Sequence, residues 1–273
     1  MVISPHLDDA VLSVGASLAA LTAQGRDVTV CTVFAGEPTP PFSEFARELH
    51  SISGLGDDAV AQRRQEDREA TEILGVRSLH LPFLDAVYRQ DETGWIVESF
   101  DSLFERRTDD ALVEEIAQAI HKAFGDEWPA ELWTCAAFGD HVDHRITRDA
   151  VARLAHEHNL KLVLWEDFPY AAGQAHAAVG QPACVPDVTR AHLQQKVEAV
   201  ARYPSQLTML YGAEREWRDG KSLDWRSELL DHAADRAEHG GYELLWHVAL
   251  GPPNSSAVGP AGVDQSQEFR PLP

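Results

Sequence analysis

The sequence predicts an α/β fold in which a largely parallel β-sheet is flanked by helices. Three observations carry this. Short runs rich in β-branched and apolar residues alternate with longer stretches of helical apolar spacing, the pattern of successive βαβ units. Glycines stand where helical stretches end, at Gly25 and Gly75. A chain of 273 residues with 44% apolar content also supplies a core large enough for one α/β domain.

Val2 and Ile3 read as a short strand end that stops at Ser4-Pro5. Apolar spacing resumes through Leu12, Ala16, Ala19 and Ala20, which predicts a helix over 9–23 closed by Gly25. Residues 28–34 (VTVCTVF) are β-branched and aromatic and predict a buried strand. A helix over 59–74 ends at Gly75, and SLHLPFL follows as a strand and its exit. A helix over 109–124 then precedes the strand ELWTCAAF, and a helix over 144–158 precedes the strand KLVLWEDF. A further helix covers 189–201. Two connections, 36–58 and 84–108, are long enough to act as lid-like insertions. Residues 251–273 are rich in Pro, Gly and Ser, so a single domain over 1–250 with a C-terminal extension is expected.

Composition excludes several classes. A net charge of −21 repels a phosphate backbone, so nucleic acid is not an expected partner. No run approaches the ~18 consecutive apolar residues of a membrane span. The first apolar run follows Met1 directly, without a basic and apolar leader, so a cytoplasmic location without a membrane anchor is expected. Cys31, Cys135 and Cys184 are scattered and odd in number, which disfavours a disulfide framework or a thiolate zinc site. No GxGxxG follows the first strand, which excludes a nucleotide-binding oxidoreductase.

The chemistry lies at two strand ends. His6 and Asp9 are three apart at a strand-to-helix turn, and His141-Val142-Asp143-His144 follows the ELWTCAAF strand. In parallel sheets the ligand crevice lies at the carboxyl ends of the strands. One imidazole of the second cluster, with His6 and Asp9, makes three N/O ligands, the number catalytic zinc sites use. Asp8 is then left as a general base, and the remaining histidine can stabilise an oxyanion or protonate a leaving amine. Alone, paired aspartates at a helix start are commonly a cap, and HxDH a solvated turn. Both clusters together, each at a parallel strand end, favour a metal site.

Several segments together resemble a known family. They are Pro5-His6-Leu7-Asp8-Asp9, Arg63-Arg64-Gln65-Glu66 ahead of Leu74-Gly75, and His141-Val142-Asp143-His144. Glu166-Asp167-Phe168-Pro169-Tyr170 and Lys196 with Tyr203-Pro204-Ser205-Gln206 complete the order. The set is similar to the LmbE-like, or PIG-L-type, N-acetylglucosaminyl deacetylases over about residues 1–210. The resemblance implies a Rossmann-like fold and a zinc-dependent deacetylase, with one Zn2+ per chain or another divalent metal in its place. By matched position, it implies His6, Asp9 and His144 as metal ligands and Asp8 as general base. It also implies His141 as oxyanion stabiliser, Asp143 as the group orienting a histidine, and Arg63, or Arg64 in the other register, as a sugar contact.

The first motif departs from the family's AHPDDE: Leu7 replaces the proline and Ala10 the glutamate. Some members carry a tyrosine where Gly139 stands here. The SPHxDDAVLS form resembles the branch of antibiotic biosynthesis, so the implied small-molecule substrate is an N-acetylglucosaminyl conjugate of the teicoplanin-type glycopeptide pseudoaglycone class. Aminoglycoside precursors and GlcNAc-inositol are the alternatives, and a non-catalytic metal- or sugar-binding module is the rival from another class. Trp165 and Tyr170, with Trp95, Phe100, Phe104 and Phe168, are the expected aromatic walls for such a substrate.

Overall fold

The structure, a computed structural model, describes residues 1–107, 109–125, 128–172, 178–212, 224–237 and 241–250. Strand β1 (Val2–Ser4) leads into α1 (Asp9–Ala23), then β2 (Thr29–Thr32), α2 (Glu44–Ile52), α3 (Ala59–Ile73) and β3 (Arg77–His80). A small antiparallel ribbon, β4 (Gln90–Asp91) and β5 (Gly94–Trp95), precedes α4 (Asp110–Phe124), β6 (Glu131–Cys135), α5 (Val142–Glu157) and β7 (Lys161–Trp165). The chain continues through β8 (Gln181–Ala183), α6 (Arg190–Val200), α7 (Pro204–Tyr211), α8 (Trp225–Ala237) and β9 (Leu245–Val248).

Among the described residues, seven strands form one sheet in the order β3-β2-β1-β6-β7-β9-β8. The first five are parallel, with Ile3 opposite Cys31, Cys31 opposite Leu79, and Cys135 opposite Trp165. β9 runs antiparallel to both β7 and β8. From β1 the chain builds outward to β2 and β3 on one side, and later to β6 and β7 on the other. The carboxyl ends of β1 and β6 therefore flank the topological switch point, where open α/β sheets bind ligands.

Alternation along the strands fills two cores. Ile3, Cys31, Leu132 and Leu164 pack on one face against Ile116 and Ile120 of α4 and Ile146, Val151 and Leu154 of α5. Val2, Val30, Trp133, Cys135 and Val163 pack on the other against Val11 and Leu18 of α1, Ala70 of α3 and Val197 of α6. The predicted sheet and the helices α1, α3, α4, α5 and α6 are thus present. Helix α2 occupies part of the 36–58 connection, while the sequence reading did not anticipate α7, α8, the β4–β5 ribbon or the antiparallel β8–β9 edge. The expected 251–273 extension lies outside the described residues. No described helix is long and apolar enough to cross a membrane.

Helix α1 is broken at Val14 (φ −128°, ψ 20°). The freed backbone groups are satisfied from distant sequence. Glu243 accepts from the N–H groups of Ala16 and Ser17 at 2.9 and 2.8 Å. Lys196 Nζ donates to Ser13 O at 3.2 Å and to Glu243 Oε1 at 2.8 Å. The lysine stem lies so close that a Cβ on Gly15 would fall 2.9 Å from its Cγ. Both partners are almost fully buried, so Lys196→Met leaves an uncompensated carboxylate under the helix that carries Asp9. We expect a loss of about 3–5 kcal/mol in unfolding free energy, measurable by denaturant titration. A loss under ~1 kcal/mol would contradict this role.

Candidate metal centre

The β1 exit is shaped by Ser4 and Pro5. Ser4 Oγ donates to His6 O at 2.8 Å and accepts from Ala10 N at 3.1 Å, so the serine serves the start of α1. The N–H groups of Val33 and Phe34 pin the turn to β2 by donating to Ser4 O and Pro5 O, both at 2.9 Å. Asp8 occupies the N-cap position, yet its side chain makes no cap hydrogen bond. Asp9 Oδ2 accepts from His6 N at 2.8 Å, which turns its carboxylate back toward the imidazole of His6. The helix-cap explanation of the paired aspartates therefore fails for Asp8.

The β6 exit turns through Ala137, Gly139 and Asp140, all at positive φ. Gly139 (φ +87°) is required twice: a Cβ there would also fall 2.9 Å from Tyr170 Cβ. Next, His141 caps α5, with its Nδ1 accepting from Asp143 N at 3.2 Å. The first turn of α5 then presents Asp143 and His144, both fully buried.

These two exits bring His6, Asp9, His141 and His144 together. Asp9 Oδ2 lies 3.2 Å from His6 Nδ1 and 3.2 Å from His144 Nε2. The rings of His6, His141 and His144 are 4.9–5.3 Å apart by centroid. Ring nitrogens of all three lie within 4.8 Å of one another, so distance alone admits His141 as a ligand. Hydrogen bonding separates their roles. His6 Nε2 donates to Asp143 Oδ2 at 3.1 Å, and His144 Nδ1 donates to Asp167 Oδ1 at 2.8 Å. Each leaves its other nitrogen aimed at Asp9, and a carboxylate behind an imidazole is the usual support of a metal ligand. His141 spends its Nδ1 lone pair on Asp143 N, so in its neutral form Nε2 carries a proton and donates.

The electrostatics agree. Burial alone would discharge His6, but Asp85, Asp143 and Asp9 outweigh it and raise its pKa to about 10. Burial likewise opposes charge on His144, yet Asp9 and Asp167 hold it well above its ordinary value. His141 is driven well below its usual pKa by burial and by the two neighbouring cationic rings. Burial and the Asp9 charge push Asp8 up to about 7, against the pull of Arg63 and His6.

The donor set fits a divalent cation. His144 Nε2 is buried and makes no hydrogen bond although a carboxylate oxygen lies 3.2 Å away. Two imidazole nitrogens and one carboxylate oxygen around one point suit zinc and its first-row neighbours. The neighbouring carboxylates raise the pKa values of His6 and His144, so a cation competes with protons for these nitrogens, its loading releases a number of protons, and its binding tightens as pH rises. Calorimetry in buffers of different ionisation enthalpy reads this number directly. No proton release would contradict ligation through His6 Nδ1 and His144 Nε2.

The remaining expected residues divide. The half-buried Arg63 guanidinium lies 3.9 Å from Asp85 Oδ2 and in the field of Asp8. Arg64 turns away, donating to Glu37 Oε1 at 3.2 Å. Tyr170 stands edge-on to His144 at 5.3 Å, and Phe104 edge-on to His141 at 5.8 Å. The expectation for Trp165 is corrected. Its ring is fully buried in the core between the sheet and α1 and α6, because the alternation of β7 turns it to that face. Phe168 is likewise core. Phe100 is exposed and packs on Phe45 at 5.2 Å. Cys31 and Cys135 are buried among apolar side chains, as expected. The sequence reading assigned no role to Asp167, Asp85 or Arg89. Asp167 stood in the quoted EDFPY segment, but the other two carried no motif signal.

At the switch point, two imidazoles and a carboxylate around one point, with a further carboxylate and a donor imidazole beside them, are the parts that a metal-assisted hydrolase uses. Residues 1–155 match the PIG-L family, GlcNAc-PI de-N-acetylase, and the chain belongs to this family of deacetylases. It is 38% identical to teicoplanin deacetylase Orf2, solved in a zinc-inhibited form, over 92% of this chain and 98% of that one, with a TM-score of 0.77. It is 35% identical to the A40926 pseudoaglycone deacetylase Dbv21, over 92% and 97% of the two chains, with a TM-score of 0.72. It is also 32% identical to the 2'-N-acetylparomamine deacetylase of Niallia circulans, over 79% of this chain and 83% of the relative.

Proposed function

We propose that the chain is a zinc-dependent hydrolase that removes the acetyl group from the N-acetylglucosamine of a glycopeptide pseudoaglycone, acting in the cytoplasm as one catalytic domain over residues 1–250. The observation that carries the metal-dependent reading is the convergence of His6 Nδ1 and His144 Nε2 on Asp9 Oδ2, each at 3.2 Å. Their donor types favour one zinc per chain, held by His6, Asp9 and His144.

A cation bound there supplies Lewis acidity, polarising the acetamide carbonyl and acidifying water. Asp8, with a pKa of about 7, takes the proton of the attacking water near neutral pH. The water oxygen bonds to the carbonyl carbon, and His141 Nε2–H donates to the carbonyl oxygen as negative charge develops there. The C–N bond then breaks. Asp8 returns its proton to the departing amine nitrogen, and acetate leaves. Asp143 and Asp167 hold the two ligand imidazoles in their tautomers. Arg63 and Tyr170 flank the acyl position as substrate contacts. A pure binding module has no use for a base, and the Asp8 carboxylate makes no cap hydrogen bond to α1.

The substrate class is supported by 38% and 35% identity, over 92% of this chain, to the teicoplanin and A40926 pseudoaglycone deacetylases. The rings of Phe104 and the exposed Phe100 also suit an aromatic aglycone. The test is acetate release from equimolar N-acetylglucosaminyl pseudoaglycone, 2'-N-acetylparomamine and GlcNAc-inositol. We expect kcat/KM for the pseudoaglycone to exceed the others at least tenfold. Preference for 2'-N-acetylparomamine would move the enzyme to aminoglycoside precursors, in line with its curated relative.

A further inference from the structure

Asp143 is fully buried and its two oxygens are shared among three donors. Oδ2 accepts from His6 Nε2 at 3.1 Å and from Ala86 N at 2.9 Å. Oδ1 accepts from Arg89 Nη2 at 2.6 Å. Ala86 and Arg89 both belong to the 84–108 connection, where a 3-10 turn over Ala86–Tyr88 begins behind the capping side chain of Asp85. The Arg89 guanidinium is itself fixed, lying 5.0 Å over the Phe34 ring, while Phe34 stands 5.9 Å from His6. At its other end the connection is tied down again. Arg145 donates to Glu105 O at 2.5 Å and also to Asp140 O, and Phe104 packs on His141.

We propose that Arg89 is a positioning residue of the metal centre: through Asp143 it holds His6 with Nδ1 facing the cation, which makes the 84–108 connection a brace of the site and not a lid. The inference rests on the metal-centre reading above. Its physical basis is geometric. The single charged bond from Arg89 fixes which way the Asp143 carboxylate faces, and that carboxylate fixes the His6 ring. Without the guanidinium, Oδ1 is an unpaired buried oxygen, and the carboxylate gains by rotating or by recruiting the His6 proton differently. A ligand imidazole that loses its outer support binds metal more weakly, by about 10–100-fold.

The experiment titrates Co2+ into full-length parent, Arg89→Met, Arg89→Lys and His144→Ala proteins, following the visible cobalt bands, with melting temperatures of the metal-free forms alongside. The expected result is cobalt binding ~10–100-fold weaker in Arg89→Met, with kcat at saturating metal within a few-fold of the parent. Arg89→Lys, which keeps the charge but loses the planar fork, is expected to fall between. The metal-free melting temperature falls, because the buried Asp143 Oδ1 loses its partner, and its rise on cobalt addition shrinks as well, because stabilisation follows the dissociation constant. Parent affinity in Arg89→Met, with binding lost in His144→Ala, overturns the proposal and leaves the metal centre standing. Retained binding in His144→Ala overturns the metal-centre reading and this proposal with it. If Arg89→Met does not fold, Arg89→Lys decides alone, and unchanged affinity overturns the proposal.

Discussion

Replacing Asp8 with asparagine is expected to lower kcat by about 10²–10⁴-fold while the protein stays folded and loads metal. The substitution keeps shape and removes only the proton acceptor. Asp8 makes no cap bond to α1, so the helix loses nothing. The proposed ligand atoms belong to His6, Asp9 and His144, so cation affinity is expected to stay within a few-fold. The carboxyl is also poised for the work: burial and Asp9 raise it to about 7, against Arg63 and His6. Single-turnover acetate release measures the effect, and metal content measured alongside separates base from ligand. A kcat within threefold of the parent would remove Asp8 from the mechanism.

Replacing His144 with alanine is expected to abolish both stoichiometric metal loading and turnover. The imidazole is the bridge between Asp9 at 3.2 Å and Asp167 at 2.8 Å, with both carboxylates almost fully buried. Its loss removes a proposed ligand and leaves Asp167 Oδ1 without the imidazole donor at 2.8 Å. The metal-free protein should lose about 3–5 kcal/mol. The sign with pH follows from the raised pKa of His144. The contribution is fully present below the unfolded value of about 6.5 and is lost as pH rises through the higher folded value. Denaturant unfolding of parent and variant at two pH values on either side of that range would show the difference shrinking on the alkaline side. A variant that still binds one metal per chain would mean that His144 is not a ligand.

The parts legible in the sequence were those whose chemistry is local. The spacing His6–Asp9 at a strand end, and His141–His144 at another, survived folding because β1 and β6 are neighbours in the sheet. Helical spacing located α1 and α3 for the same reason. What was not legible depends on contacts across the fold. Trp165 sits in a strand buried on both faces, where a continuous apolar run hides which side chain faces the helices and which the crevice. Glu243 holds the break in α1 from a distance of 227 residues, and a lone glutamate before a short strand carries no sign of it. Arg89 reaches Asp143 across 54 residues. The connection that bears it looked like an insertion because its order comes from α5, not from its own propensity. Lys196 did stand out within the family-like pattern, and its partnership with Glu243 supplies the physical reason.

The most direct test of the central claim is acetate release from an N-acetylglucosaminyl pseudoaglycone by chelated enzyme, before and after adding one equivalent of Zn2+. One equivalent is the right condition because the proposed centre holds one zinc per chain. The account predicts no release from the chelated enzyme and recovery of release near one zinc per chain, with no recovery in His144→Ala. Undiminished release after complete metal removal would contradict it.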